Sequence, residues 1–322
     1  MKVSSENPIT NQIGPGISED VIRSAVDESG YPLQTFVADI LRTSFMIAEE
    51  WAYVDRDTGE LRSLDLRAHR MLFDRELINP QPRVRPALDL LIECKQSELP
   101  YVFFESHVQH HLLEHPVVYG LHESSILITT DDSKSSWNFH IGIALGLHLH
   151  PFQDAPKVAK TFSKCVRKGS KLELSGTDAY SHLILPLVKA IDHLGIAEKP
   201  TDTAIYFDAH LSVALGVLDA PMLVARAETG GTVLELVPWV RVIRHEYANK
   251  KYKHNRDRHW VVDIVHKDYF KQYLESKLEP FAAEFAERVL RHPTEIATAK
   301  AFVPGMEHDS WHDIESRMQA KR

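Results

Sequence analysis

The chain has 322 residues, 43% hydrophobic and 25% charged, which is the balance of a folded globular protein and excludes a fibrous or low-complexity one. Its 37 basic and 45 acidic residues give a formal charge of −8, which excludes a polycation that holds nucleic acid by bulk charge. Such a ligand would need a local basic patch or a metal to offset the repulsion. Two cysteines, Cys94 and Cys165, make no disulfide framework, and Cys94 reads as a small buried thiol. The first residues lack the apolar core of a signal peptide. The most apolar window, 212–225, is interrupted by Asp219 and Pro221 and is too short to span a bilayer. The expectation is a cytoplasmic, reducing compartment with no membrane partner.

In chain order, residues 1–17 read as a flexible leader. Ser18 can cap a helix whose first turn carries Glu19 and Asp20, which suits the helix dipole, and Ser29-Gly30 ends it. A second helix starts near Pro32, with Leu33, Phe36, Val37, Ile40 and Leu41 as its apolar stripe. Strands are expected over 45–54 and 61–71 around an Asp57-Thr58-Gly59 turn. The proline-rich segment 79–86 reads as a loop, followed by strands over 89–95 and 101–104. A helix is expected over 141–147. On a helix over 157–171, Lys157, Lys160, Lys164, Lys168 and Lys171 would gather on one side, opposite Val158, Phe162, Cys165 and Val166. A longer helix over 177–194 turns Leu183, Leu187, Ile191 and Leu194 inward, with Pro186 as a kink. Short strands follow over 204–207, 212–217, 222–227, 233–243 and 260–265. Helices over 268–278 and 280–290 come next. No internal repeat is present. The expected organisation is core motifs in 18–106, a mostly helical segment with a basic stripe in 107–200, a strand-rich extension with helices packed on the same core in 201–292, and a tail in 293–322.

The strongest functional signal lies between Asp65 and Lys95. Side chains two apart on a strand share a face, so Leu90, Ile92 and Cys94 point one way and Asp89, Leu91, Glu93 and Lys95 the other. On the preceding strand, Leu64 and Leu66 are expected on one side with Asp65 opposite. Were the strands neighbours, Asp65, Glu93 and Lys95 would converge. Two carboxylates can hold a hard divalent cation, Mg²⁺ or Mn²⁺, and the cation can activate a water for phosphodiester hydrolysis. Lys95 beside two carboxylates keeps its charge, which suits electrostatic stabilisation better than a free-amine base.

A helix, a hairpin ending in Leu64-Asp65 and a strand closing in Glu93-Cys94-Lys95 resemble the PD-(D/E)XK nuclease superfamily. The resemblance covers about residues 18–105. It implies an α/β restriction-endonuclease-like core, a mixed central sheet flanked by helices, here with a helical insertion and a strand-rich C-terminal extension. It also implies metal-dependent endonuclease activity. Asp65 and Glu93 would be metal ligands, the backbone carbonyl of Cys94 a further ligand, and Lys95 the residue that orients or activates the attacking water, with Gln96 as its companion. Leu64 stands where the family name has proline. Gln34 stands where many relatives carry a helical glutamate, so it would supply a neutral oxygen unless Glu28 or Glu19 takes that place.

Nucleic acid, with DNA the expected form, is the partner this reading implies, and a homodimer is compatible with it. The basic stripe of 157–171 and the run containing Lys250, Lys251, Lys253 and Arg256 would meet backbone phosphates, or else be solvated faces. Two alternatives stay open. One is a nucleic-acid-binding or assembly module with a decayed site, motivated by Gln34 and the net charge. The other is a histidine-based zinc hydrolase built from His107, His110, His111 and His115 with Glu114 close by, although no His-Glu-x-x-His occurs.

Overall fold

The structure is a computed structural model and describes residues 2–74, 81–106, 112, 115–246, 258–305 and 314–319. Helix α1 (Glu19–Glu28) opens at Ser18, whose hydroxyl oxygen accepts the Val21 N–H, as the capping pattern predicts. Helix α2 (Tyr31–Leu41) follows Gly30, which sits at φ +81 where a side chain would be strained, and buries Leu33, Val37, Ala38 and Leu41. Strands β1 (Met46–Val54) and β2 (Leu61–Met71) form the expected antiparallel hairpin. Strand β3 (Val84–Gln96) starts earlier than the sequence suggests and takes in Pro86 from the proline-rich segment. It is buried along most of its length on both faces, so apolar alternation marks only its second half.

Next come β4 (Tyr101–Glu105), β5 (Val117–Tyr119), β6 (Ser125–Thr130), β7 (Ser136–His140) and the short helix α3 (Ile141–Ala144). The segment expected as a basic helix is instead β8 (Val158–Lys168) and β9 (Lys171–Ser175), an antiparallel pair. Lysines at steps of three and four fit a helix on paper. However, Val158, Thr161, Phe162, Cys165 and Val166 favour a pleated strand, and β4 is there to pair with it. The 107–200 segment is therefore not mostly helical: β5 to β9 precede its long helix.

Helix α4 (Gly176–Ala179), a π turn over Tyr180–Ile184 and α5 (Leu185–Ala197) run on as one rod. Leu183, Leu187, Ile191 and Leu194 are buried, as predicted. Then follow β10 (Phe207–Asp219), β11 (Met222–Glu228), β12 (Gly231–Leu236), β13 (Trp239–Glu246) and β14 (Arg258–His266). The expected strand over 204–207 is absent, because β10 begins only at Phe207, and the run 233–243 is broken before Pro238 into β12 and β13. The chain closes with α6 (Lys267–Tyr273), a π turn over Leu274–Leu278, α7 (Glu279–Arg291), α8 (Pro293–Thr298), β15 (Lys300–Val303) and α9 (Ile314–Arg317). Pro186 and Pro280 each follow a π turn by two residues. A helical proline lacks an N–H and crowds the carbonyl four residues back, and widening that turn accommodates both defects.

Strands are ordered β1-β2-β3-β10-β14-β13-β8-β4-β11-β12 in one large mixed sheet, with β5 added beside β10 and β9 beside β8. Strand β10 runs parallel to both β3 and β14, so the C-terminal strands belong to the same sheet as the hairpin. A separate sheet joins β15, β6 and β7. Helices α2, α6, α7 and α8 pack on one face of the large sheet and α5 on the other. The protein is thus a mixed α/β protein with a large sheet flanked by helices. No helix among the described residues is long and apolar enough to cross a membrane.

Candidate functional site

The β2–β3 ladder pairs Met71 with Ala87 through to Leu66 with Ile92 and then stops. At the next position the Asp65 carboxylate replaces a backbone acceptor: its Oδ2 accepts the Cys94 N–H at 2.6 Å. Across the hairpin, Glu50 sits at φ +48 between the Glu49–Leu66 and Trp51–Leu64 pairs. The inside–outside alternation shifts there, so Leu66 packs with the α2 face and Leu64 with the α5 face. This corrects the expectation that the two leucines share a side, and the change of face falls directly across from the left-handed Glu50. The Asp65 carbonyl accepts from Gln34 Nε2 at 3.0 Å. Gln34 is buried, and its amide nitrogen holds the backbone at Asp65.

Asp65, Glu93 and Lys95 do come together. The Lys95 ammonium contacts Glu93 Oε1 and lies 4.0 Å from Asp65 Oδ2. Glu93 is buried and its second oxygen has no hydrogen-bond partner. Burial, assisted by the Asp65 charge and opposed by Lys95, pushes the Glu93 carboxyl up to about 7. Burial also raises Asp65, against Lys95 and the Cys94 N–H, and the nearby Glu50 charge adds to the rise. Burial works against the Lys95 ammonium, yet Glu93 and Asp65 outweigh it and hold it above its ordinary value. The Cys94 thiol is buried and driven far up, chiefly by desolvation, which leaves it inert. Of the supporting residues, Gln96 is exposed at the end of β3 opposite Asp219, and Glu28 is exposed on α1 with Ser24 Oγ donating to it. Glu50 is the neighbour that sequence reasoning missed, since nothing in an Ala-Glu-Glu-Trp strand announces a left-handed residue.

A second polar cluster lies on the same face of β3. His69, paired directly across from Asp89, places Nδ1 3.3 Å from Asp89 Oδ2, and His210 on β10 places Nδ1 2.5 Å from the same oxygen. Arg67 Nε donates to Asp89 Oδ1 at 2.8 Å, and Arg67 Nη2 donates to Glu198, just past α5, at 2.7 Å. Burial pushes the Asp89 carboxyl up, but the two imidazoles and the guanidinium win and hold it well below the usual carboxylate range. Among the described residues this is the group of histidine, cysteine and carboxylate side chains with metal-ligand spacing.

The expected phosphate-binding lysines lie elsewhere. Lys157 is bound between Glu105 (3.3 Å) and Glu235 (3.0 Å), and Lys168 pairs with Glu173 (3.3 Å). Lys164 lies over the Tyr101 ring, and Lys160 and Lys171 are exposed. Lys250, Lys251, Lys253 and Arg256 fall outside the described residues, as do His107, His110, His111 and Glu114. His115 is buried and pushed down to about 3, first by desolvation and then by Arg241. His150 accepts the Phe152 N–H at 3.0 Å as a helix cap. Comparison with protein-family models, curated proteins and solved structures finds no match.

Proposed function

We propose that the protein hydrolyses phosphodiester bonds of nucleic acid, with DNA the expected form, using Mg²⁺ or Mn²⁺ at Asp65 and Glu93 in the manner of PD-(D/E)XK nucleases. One observation carries this reading: two carboxylates and a lysine converge where a β-ladder breaks, and one buried carboxylate oxygen is left without a partner. An orphaned oxygen of that kind costs free energy in the apo protein, and a cation supplies what it lacks. The donor set is all oxygen, which suits a hard cation. The helix, hairpin and Glu-x-Lys strand order supports the same reading.

Asp65 and Glu93 would hold the ion, with the Cys94 carbonyl as a further ligand. The cation, when bound, supplies charge neutralisation at the phosphoryl group and a water acidic enough to attack at neutral pH. Asp65 is fixed for its part by the Cys94 N–H, and Gln34 secures the backbone beneath it. Lys95 stays an ammonium, so it stabilises developing negative charge rather than taking a proton. Glu50 adds negative potential beside Asp65 and offsets in part the neutral side chain at position 34.

The test is incubation of the purified protein with plasmid, single-stranded DNA and RNA, with Mg²⁺ or with chelator. Cleavage should need the metal and fall about a hundredfold or more in Asp65→Ala and in Lys95→Ala. Cleavage unchanged in both variants would remove the assignment. Salt-sensitive binding without cleavage, together with no Mg²⁺ uptake, would instead favour the binding-module reading.

A further inference from the structure

The cluster around Asp89 is independent of the nuclease reading. Its three ligand-type side chains come from three adjacent strands: His69 from β2, Asp89 from β3 and His210 from β10. Their nearest donor atoms all lie within 4.8 Å of one another. Three donors bound to one ion at metal–ligand lengths near 2.1 Å sit about 3–3.4 Å apart. His69 Nδ1 is already 3.3 Å from Asp89 Oδ2, and His210 needs to retreat by less than about 1 Å.

A carboxylate stands near the second ring nitrogen of His210. A ligating imidazole presents one nitrogen to the ion and gives its other N–H to a carboxylate, which fixes the ring. His210 Nε2 lies 3.7 Å from Glu198 Oε2 while its Nδ1 faces Asp89. Arg67 occupies Asp89 Oδ1, leaving Oδ2 as the single oxygen aimed at both imidazoles. Arg67 also binds Glu198, so one guanidinium orients both carboxylates. The cluster opens on one side into a cleft of about 340 Å³ lined by Trp51, Arg67, His69, Glu198 and His210, which leaves room for a further ligand.

We propose that His69 Nδ1, His210 Nδ1 and Asp89 Oδ2 form a second metal site for a divalent transition ion, with Arg67 and Glu198 orienting the ligands. Two nitrogens and one carboxylate oxygen suit zinc, cobalt or nickel, whereas the all-oxygen site at Asp65 and Glu93 suits magnesium or manganese. Ligation through Nδ1 requires each imidazole to carry its proton on Nε2, which leaves the Nδ1 lone pair for the ion. The open coordination position faces the cleft, where a water or an anionic group of a small ligand would sit.

The experiment is a titration of metal-free, full-length protein with Co²⁺, read by visible d–d absorption and competed with Zn²⁺. It is repeated in an Asp65→Asn/Glu93→Gln background to remove any contribution from the other cluster. The expected result is one Co²⁺ per chain with a tetrahedral-type spectrum that survives in that background. In His69→Ala the band should be lost, and in Glu198→Gln the affinity should fall about 10–100-fold. His69 is partly exposed, so its variant is the one expected to fold if His210→Ala does not. No band in the wild type, or an unchanged band in folded His69→Ala, overturns the site. Failure of the cleavage assay leaves this outcome untouched, so the two readings fall separately.

Discussion

Asp89 and Glu93 occupy the same strand, point to the same face and are both buried, yet their carboxyl groups are driven in opposite directions. Burial pushes both up. Asp89 meets a guanidinium and two imidazoles that together satisfy both its oxygens, so it stays ionised. Glu93 meets one ammonium, shares it with Asp65 and keeps an oxygen without a partner. Partner count, rather than depth, decides the charge state. Leu91 lies between the two and is fully buried against α5, so the clusters are separated by packed side chains. The saturated carboxylate holds two imidazoles at its side, and the unsaturated one keeps an oxygen open to a cation.

This contrast can be broken by removing either carboxylate. Asp89→Asn should cost about 3 kcal/mol in a denaturant titration, since it takes the charge from a fully buried acceptor shared by a part-buried guanidinium and two imidazoles. A loss below about 1 kcal/mol would show that the network contributes little. Glu93→Gln should behave otherwise. The folded Glu93 carboxyl titrates near 7 against an ordinary value near 4.5, so its protonated form favours folding. The contribution of Glu93 to the stability of the metal-free protein is therefore fully present below about 4.5 and declines as pH rises toward 7. The Glu93→Gln variant lacks that decline, so the stability difference should swing toward the variant by on the order of 3 kcal/mol between acid and neutral pH. A pH-independent difference would contradict the assignment. For the same reason, Mg²⁺ uptake by the wild type should weaken as pH falls below about 7, because the proton competes with the ion. Glu50→Gln is the smallest change: an exposed charge beside Asp65 is worth less than about 1 kcal/mol, so Mg²⁺ affinity should fall only a few-fold.

Local signals carried the first third of the chain well. The Ser18 cap, the Asp57-Thr58-Gly59 turn and the Glu-x-Lys strand end are set by near neighbours, and the structure places all three as read. The break at Asp65 is not legible, because it lies across from a left-handed Glu50 that has no sequence mark. The basic stripe misled because a three-four spacing serves a helix and also permits a strand once β4 supplies a partner. His69, Asp89, His210 and Glu198 carry no spacing signature at all. They meet only because β10 lies parallel to β3 with Ala87 beside His210, a long-range pairing that local patterning does not encode.

The central claim rests on an ion at Asp65 and Glu93, and an anomalous-scattering map from metal-free crystals soaked in Mn²⁺ reads it directly. The predicted result is a peak bounded by the Asp65 and Glu93 carboxylates and within reach of the Cys94 carbonyl, absent from Glu93→Gln crystals. A fully soaked wild-type crystal with no peak between those two carboxylates would contradict the account.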